Sequence, residues 1–302
     1  MSFEPGLVHA PLTPFTAGGR IDWETYARVI QFHIANGADA IAVPMHAGEA
    51  VSLPDREKRE IITFAVNEAG GVPVLAHASD SGTGIAASLA RFAEKAGARA
   101  IITTTPYYWT PPAAMLVEHF AEVAGAVSLP FYAHNAPDDM AGIKVSVAIA
   151  LELIDRAPNF IGVVDSGLDW QFMLELVTEA PRKRPGFQLI SGNEYMVSAG
   201  SIGATGLVST LAAIAPQRVR ALYDDCRADR LFEARKAQED LAALRQVVKA
   251  SGVAGLKAAA RAMGRDMGAP RPPLKSVEAS ALAGLQRGLD ALSVLSAEPR
   301  GW

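Results

Sequence analysis

The chain has 302 residues, half of them apolar, one cysteine and a formal net charge of −4 at pH 7. This balance excludes the basic stripe of a nucleic-acid binder, and no apolar run approaches the roughly 18 residues of a membrane span. The lone Cys226 cannot form an internal bridge, and Met1-Ser2-Phe3-Glu4-Pro5 shows no basic segment leading into an apolar stretch. The expectation is a cytoplasmic, reducing setting and a core that needs no disulfide or metal staple.

Strand-like runs and amphipathic helices then alternate. The first run, 7–12, is followed by Asp22, a good N-cap for a helix whose Trp23, Tyr26, Ile30 and Ile34 fall on one face. Gly37 leads into a second run at 39–45, and Pro54 with Asp55 opens a helix reaching about Ala69. Val72-Pro73-Val74 enters the third run, 73–77, with proline at a strand start, where no ladder donor is lost. Gly97 leads into the fourth, 99–104, and Leu129-Pro130 into the fifth, 130–134. The sixth and seventh lie at 160–164 and 187–191, and Gly203 leads into the eighth at 205–209. At each glycine entry the left-handed conformation ends a helix, and the run that follows is apolar enough for burial on both faces. From about Pro216 the chain is strand-free and rich in Ala, Leu and Arg. Eight βα units predict an α/β fold, a closed parallel (β/α)8 TIM barrel over 1–215 with 216–302 as a helical cap. An open doubly wound sheet is the alternative, but no Gly-x-Gly-x-x-Gly follows any strand.

In such a barrel the active site lies at the C-terminal strand ends. Three of the six histidines fall there: His46 after strand 2, His77 after strand 3 and His134 after strand 5. His9 lies within strand 1, while His33 and His119 fall mid-helix, where packing is the expected role. Glu49, Asp80, Asp138, Asp139, Asp165 and Glu194 join the histidines at the rim. Titratable groups gathered in one cleft tune one another's pKa, which makes this rim the candidate site. With so many carboxylates and Lys144 as the main counter-charge, a multiply anionic ligand would be repelled. A neutral or cationic polar substrate, or a divalent metal held by histidine and carboxylate, fits better.

Six segments, in order and at matching spacing, resemble the pyruvate-aldolase family of N-acetylneuraminate lyase and dihydrodipicolinate synthase across essentially the whole chain. Leu12-Thr13-Pro14-Phe15 resembles the close of its first strand, Gly48-Glu49 the end of its carboxylate-binding loop, and Thr105-Pro106-Tyr107-Tyr108 its Thr-Pro-Tyr-Tyr. Asn135-Ala136-Pro137 is similar to its Asn-x-Pro, and Ser191-Gly192-Asn193-Glu194 to its Ser-Gly-Asp-Asp. Gly252-Val253-Ala254-Gly255-Leu256-Lys257, Ala76-His77 and Gly142-Ile143-Lys144 are similar to the sialic-acid-lyase branch. The resemblance implies a 2-oxo-acid substrate whose carboxylate lies near Ala47, Gly48 and Glu49. It also implies that Tyr108 reaches into a neighbouring subunit's proton relay, hence a homo-oligomer, most simply a dimer of dimers.

The departures narrow the chemistry. The family's strand 6 ends on the lysine that forms the pyruvate Schiff base; here Ile161-Gly162-Val163-Val164-Asp165-Ser166 puts Val164 there, and valine has no amine. The family tyrosine before Asn-x-Pro is His134, Met45-His46-Ala47-Gly48-Glu49 lacks both loop hydroxyls, and the synthase arginine after Pro137 is missing. The resulting expectation is a lyase of aldolase or hydratase type acting on a small oxo-acid-like substrate without a Schiff-base lysine. His134 and His46 would exchange protons, Tyr108 relay them, and Asp165 serve as base or ligand. Tyr107, Val164, Asn193 and His77 would line the substrate, His77 in a structural rather than acid–base role, and amides near Gly48 would hold the polar end. Glu49 would bond amides of its own loop. No cofactor is expected, with a metal on two or three imidazoles as the alternative. His46 and His134 should share one pocket, their rings within about 8 Å so that one ligand bridges them. Two other readings stay open: a non-catalytic binding barrel, and a Schiff-base lyase using another lysine, Lys144 first.

Overall fold

The structure, a computed structural model, describes residues 3–138 and 143–302; Asp139 and Gly142, named above, lie outside the described residues. The strands are β1 (Leu7–His9), β2 (Ala40–Val43), β3 (Val74–His77), β4 (Ala100–Thr104), β5 (Phe131–Asn135), β6 (Phe160–Asp165), β7 (Gln188–Ser191) and β8 (Gly206–Ser209). They pair in chain order, all parallel, and β8 pairs back with β1 through Leu7–Leu207 and Val8–Val208. The fold is the expected closed (β/α)8 barrel. β1 is shorter than the 7–12 run because Pro11 has no amide to give a ladder; Ala10 N makes the last bond, to Ser209 O at 2.9 Å.

The barrel helices are α1 (Trp23–Ala35), α2 (Asp55–Glu68), α3 (Thr83–Ala96), α4 (Ala113–Gly125), α5 (Val147–Arg156), α6 (Trp170–Lys183), α7 (Met196–Ser201) and α8 (Pro216–Arg227). Asp22 caps α1 as read, its Oδ1 accepting from Thr25 N at 3.1 Å. Gly37, Gly97 and Gly203 all take left-handed φ, which is what their helix-to-strand turns require. The segment from Pro216 thus contributes α8, the eighth barrel helix, before α9 (Leu231–Lys249), α10 (Gly252–Ala262) and α11 (Ala279–Asp290).

Alternate residues of each strand point inward, and they pack a plug of Val8, Ala10, Ala40, Ala42, Met45, Leu75, Ala100, Ile102, Tyr132, Val164, Ile190 and Val208. Small alanines on β2 and β4 share this cluster with large Tyr132 and Ile190, so the interior is filled rather than hollow. The other strand faces meet the helices in a larger apolar layer. Arg265, after α10, ties the cap to the barrel. Its wholly buried guanidinium donates to the carbonyls of Ala213 and Ile214, at the foot of the β8 loop, and of Pro299 and Gly301.

Candidate active site

The plug fills the barrel up to Val164, and the polar layer begins beside it. Parallel register sets His134 level with Thr104 on one side and Val164 on the other. His46, His77 and His134 line one narrow cleft together with Lys58, Ser79, Thr104 and Tyr107. His46 and His134 therefore share a pocket, as the sequence led one to expect. The His77 and His134 rings meet edge to face with centroids 6.2 Å apart.

The two buried imidazoles are held differently. His77 bonds Ser79 Oγ through Nε2 at 3.0 Å and the Pro44 backbone through its other nitrogen. Pro44 has only a carbonyl to offer, so His77 donates there and accepts from Ser79. Both of its nitrogens are spent, which suits the structural role expected of it. His134 bonds Ser166 Oγ through Nε2 at 3.0 Å, while its Nδ1 is buried with no hydrogen-bond partner. Thr104 Oγ1, on the neighbouring strand, is likewise buried and unpartnered. Buried polar atoms of this kind are uncommon and call for a ligand or a water.

Burial lowers the His77 pKa to about 3, with His134 and then Lys58 adding to the effect. Burial lowers His134 to about 4, with His46 adding to it. Both rings are thus neutral at pH 7, each with an acceptor nitrogen.

The remaining expected site residues lie elsewhere. With Val164 inward, strand alternation sends Asp165 outward, where its Oδ1 accepts from Asn135 Nδ2 at 2.7 Å and the amides of Gly167 and Leu168 bond the carboxyl. Burial outweighs those bonds and pushes its pKa up to about 6. Ala47 packs into the apolar cluster around Leu12 and Phe15. The amides of Gly48, Glu49 and Ala50 donate to the carbonyls of Met45 and His46 inside their own turn. They are therefore not free to hold a substrate's polar end as expected. Glu49 bonds no amide of its own loop: it pairs with Lys257 Nζ at 2.7 Å and accepts from Arg271 N at 2.7 Å, both from the cap. Asn193 is half-buried, 3.5 Å from Ser166 O. Tyr107 lines the cleft, but the Tyr108 side chain is 87% exposed and stacks edge to face on Trp109.

The rim acids are spent on internal partners. Glu194 accepts from Ser209 Oγ at 2.6 Å and from two backbone amides, and pairs with Arg245; Asp80 faces Lys58. Asp138 is exposed. Of the six acids read as repelling anions, Glu49, Asp80 and Glu194 each face a cation. Among the described residues, no three His, Cys, Asp or Glu side chains are grouped to hold a metal ion.

Sequence reasoning missed Lys58, Ser79, Thr104 and Ser166. Lys58 had a signal: Lys58, Ile61, Ile62 and Ala65 share one helical face, and all four are buried. Lys144 lies apart from the histidines, more than half exposed and 3.7 Å from Asp169.

Comparison with known proteins agrees with this architecture. Residues 4–292 match the dihydrodipicolinate synthetase family. The 4-hydroxy-tetrahydrodipicolinate synthase of Chlorobaculum parvum is 34% identical over 232 residues, 76% of this chain and 77% of its own. That of Methanopyrus kandleri is 29% identical over 294 residues, 96% of this chain and 97% of its own. Among solved structures, dihydrodipicolinate synthase from Aquifex aeolicus is 28% identical with a TM-score of 0.90, over 95% of this chain and 97% of that one. YagE from E. coli K12, solved in complex with pyruvate, is 25% identical with a TM-score of 0.91, over 97% of this chain and all of that one. The chain belongs to the dihydrodipicolinate synthetase family and is an enzyme of its lyase type.

Proposed function

We propose that the protein is a lyase for a small 2-oxo acid that works without a Schiff base on strand 6, using His134 as its proton-transfer group. The observation that supports this most is the pairing of Val164, sealed into the apolar plug, with the unspent Nδ1 of His134 at the same level. Valine cannot form an imine, so the electrons released when a proton leaves the carbon beside the carbonyl must rest on the carbonyl oxygen. The neutral imidazole takes that proton, and the Thr104 hydroxyl donates to the developing enolate oxygen. His46, at the mouth of the same cleft, returns a proton to the product carbon or to the leaving oxygen. No cofactor enters this scheme.

The same reading assembles the protein as a dimer of dimers. Tyr108 lies outside its own chain's cleft, as a residue reaching a neighbour's relay would, and the adjacent Trp109 and, seven residues on, Met115 are each 62% exposed. No helix among the described residues is long and apolar enough to cross a membrane, consistent with a cytoplasmic enzyme.

Exchange of pyruvate methyl protons in D2O, followed by NMR, tests the chemistry. Wild type should catalyse exchange, and His134→Ala should slow it by about 10²-fold or more. Equal exchange in wild type and variant would remove His134 from the reaction. A Schiff base on another lysine is the second reading, favoured by Lys58 in the cleft. Borohydride added with pyruvate should leave the protein mass unchanged; a pyruvyl adduct on any lysine would replace the proposal with imine chemistry.

A further inference from the structure

We infer that Lys58 is the seat for the carboxylate of a monoanionic acid bound in the histidine cleft. This deepens the function proposed above, and rests on it for the oxo group alone.

Lys58 comes from the apolar face of α2, and its side chain is only 9% exposed. It lines the cleft with His77, Thr104 and His134. An ammonium carries three donors, yet no hydrogen bond to Lys58 Nζ is formed among the described residues. Its ion-pair partner, Asp80 Oδ2, stands at 3.8 Å, beyond hydrogen-bond range, while Asp80 Oδ1 accepts from Gly82 N at 3.0 Å. A buried cation so loosely paired is costly unless an anion completes its shell.

Among the described residues, no other buried group of the cleft serves that purpose. His77 and His134 are neutral at pH 7, and the amides of Gly48, Glu49 and Ala50 are committed to their own turn. Lys257 is spent on Glu49, and Lys144 lies outside. Lys58 is thus the cation available to a carboxylate. The unpartnered atoms beyond it, Thr104 Oγ1 and His134 Nδ1, are uncharged and suit an oxo or hydroxyl oxygen, not a second carboxylate. A second negative charge would meet Asp80 without a counter-ion. The enclosed space between these side chains is about 20 Å³, room for about one water, so a short acid enters by displacing that water and moving the side chains at the exposed mouth, His46 among them. Once the carboxylate pairs with Lys58, the cation no longer opposes a proton on His77.

The test titrates ¹⁵N-histidine-labelled protein with pyruvate, propionate and pyruvate methyl ester, reading the His77 and His134 ring resonances. Both acids should shift the rings saturably at millimolar concentration, and the ester should not. Lys58→Met, or Lys58→Gln if that variant fails to fold, should weaken both acids at least tenfold. Asp80→Asn keeps the bond to Gly82 and removes the competing charge, so it should tighten both. Pyruvate and propionate binding alike, with no proton exchange, would leave the seat standing and sink the oxo-acid lyase. Acids that fail to move the rings, an ester that binds as the acids do, or acid affinity unchanged in the Lys58 variant would each overturn the seat. So would a borohydride-trapped adduct on Lys58.

Discussion

Five of the six histidines are buried, and burial pushes the pKa of all five well down: His9 and His77 to about 3, His119 and His134 to about 4, and His33 well below its ordinary value. His9 and His33 meet Nδ1 to Nδ1 at 3.1 Å between β1 and α1, so at most one proton serves the pair there. The sign of the resulting pH dependence follows from the direction of the shifts. Above about pH 6.5 these rings are neutral in both folded and unfolded chains and contribute nothing. As the pH falls below that, the unfolded chain takes up protons the folded one refuses, and stability is lost down to each folded pKa. The loss is on the order of 2 kcal/mol per histidine at pH 5. Urea unfolding midpoints should fall clearly from pH 7 to pH 5, and His9→Gln should flatten the slope. A midpoint unchanged over that interval would show that the rings charge without cost.

At the scale of elements, the buried Glu49–Lys257 pair fastens the turn after β2 to α10 of the cap. Glu49 takes a left-handed φ of 61° there and also receives the Arg271 amide. Glu49→Gln should cost about 3–5 kcal/mol by leaving a buried ammonium uncompensated, measured by denaturant unfolding. Glu49→Gln with Lys257→Met should recover much of that, and two purely additive losses would show that the pair is not coupled. This fastening was invisible in the sequence, because its members lie more than 200 positions apart and Glu49 read as a loop acid. The strands were legible because each is a short apolar run, three of them announced by a glycine that must turn left-handed. Asp165 was expected in the cleft, but once Val164 is inward, period two sends its neighbour outward, away from it. Lys58 was hidden inside Asp55-Arg56-Glu57-Lys58-Arg59-Glu60, a charged run that reads as a solvated face until its phase with Ile61, Ile62 and Ala65 is counted.

For the whole molecule, the first expectation is assembly. Tyr108, at 87% exposure and in a left-handed conformation, and Trp109 form an aromatic projection that a partner would bury. Light scattering at micromolar concentration should report a tetramer. Trp109→Arg should give smaller species with unchanged secondary structure, and a wild-type monomer would contradict the assembly outright. The ring closure carries a different consequence, for the chain as it is made. β1 is synthesised first, but one of its edges has no partner until Gly206–Ser209 emerges, about 200 residues later. At a ribosomal pace of about 5–20 residues per second that is about 10–40 s. Throughout that interval the nascent sheet has an open flank able to pair with another chain. Ribosome-stalled chains ending near residue 200 should therefore aggregate or recruit chaperones, whereas chains stalled far enough on to free β8 from the exit tunnel should become protease-resistant in one step.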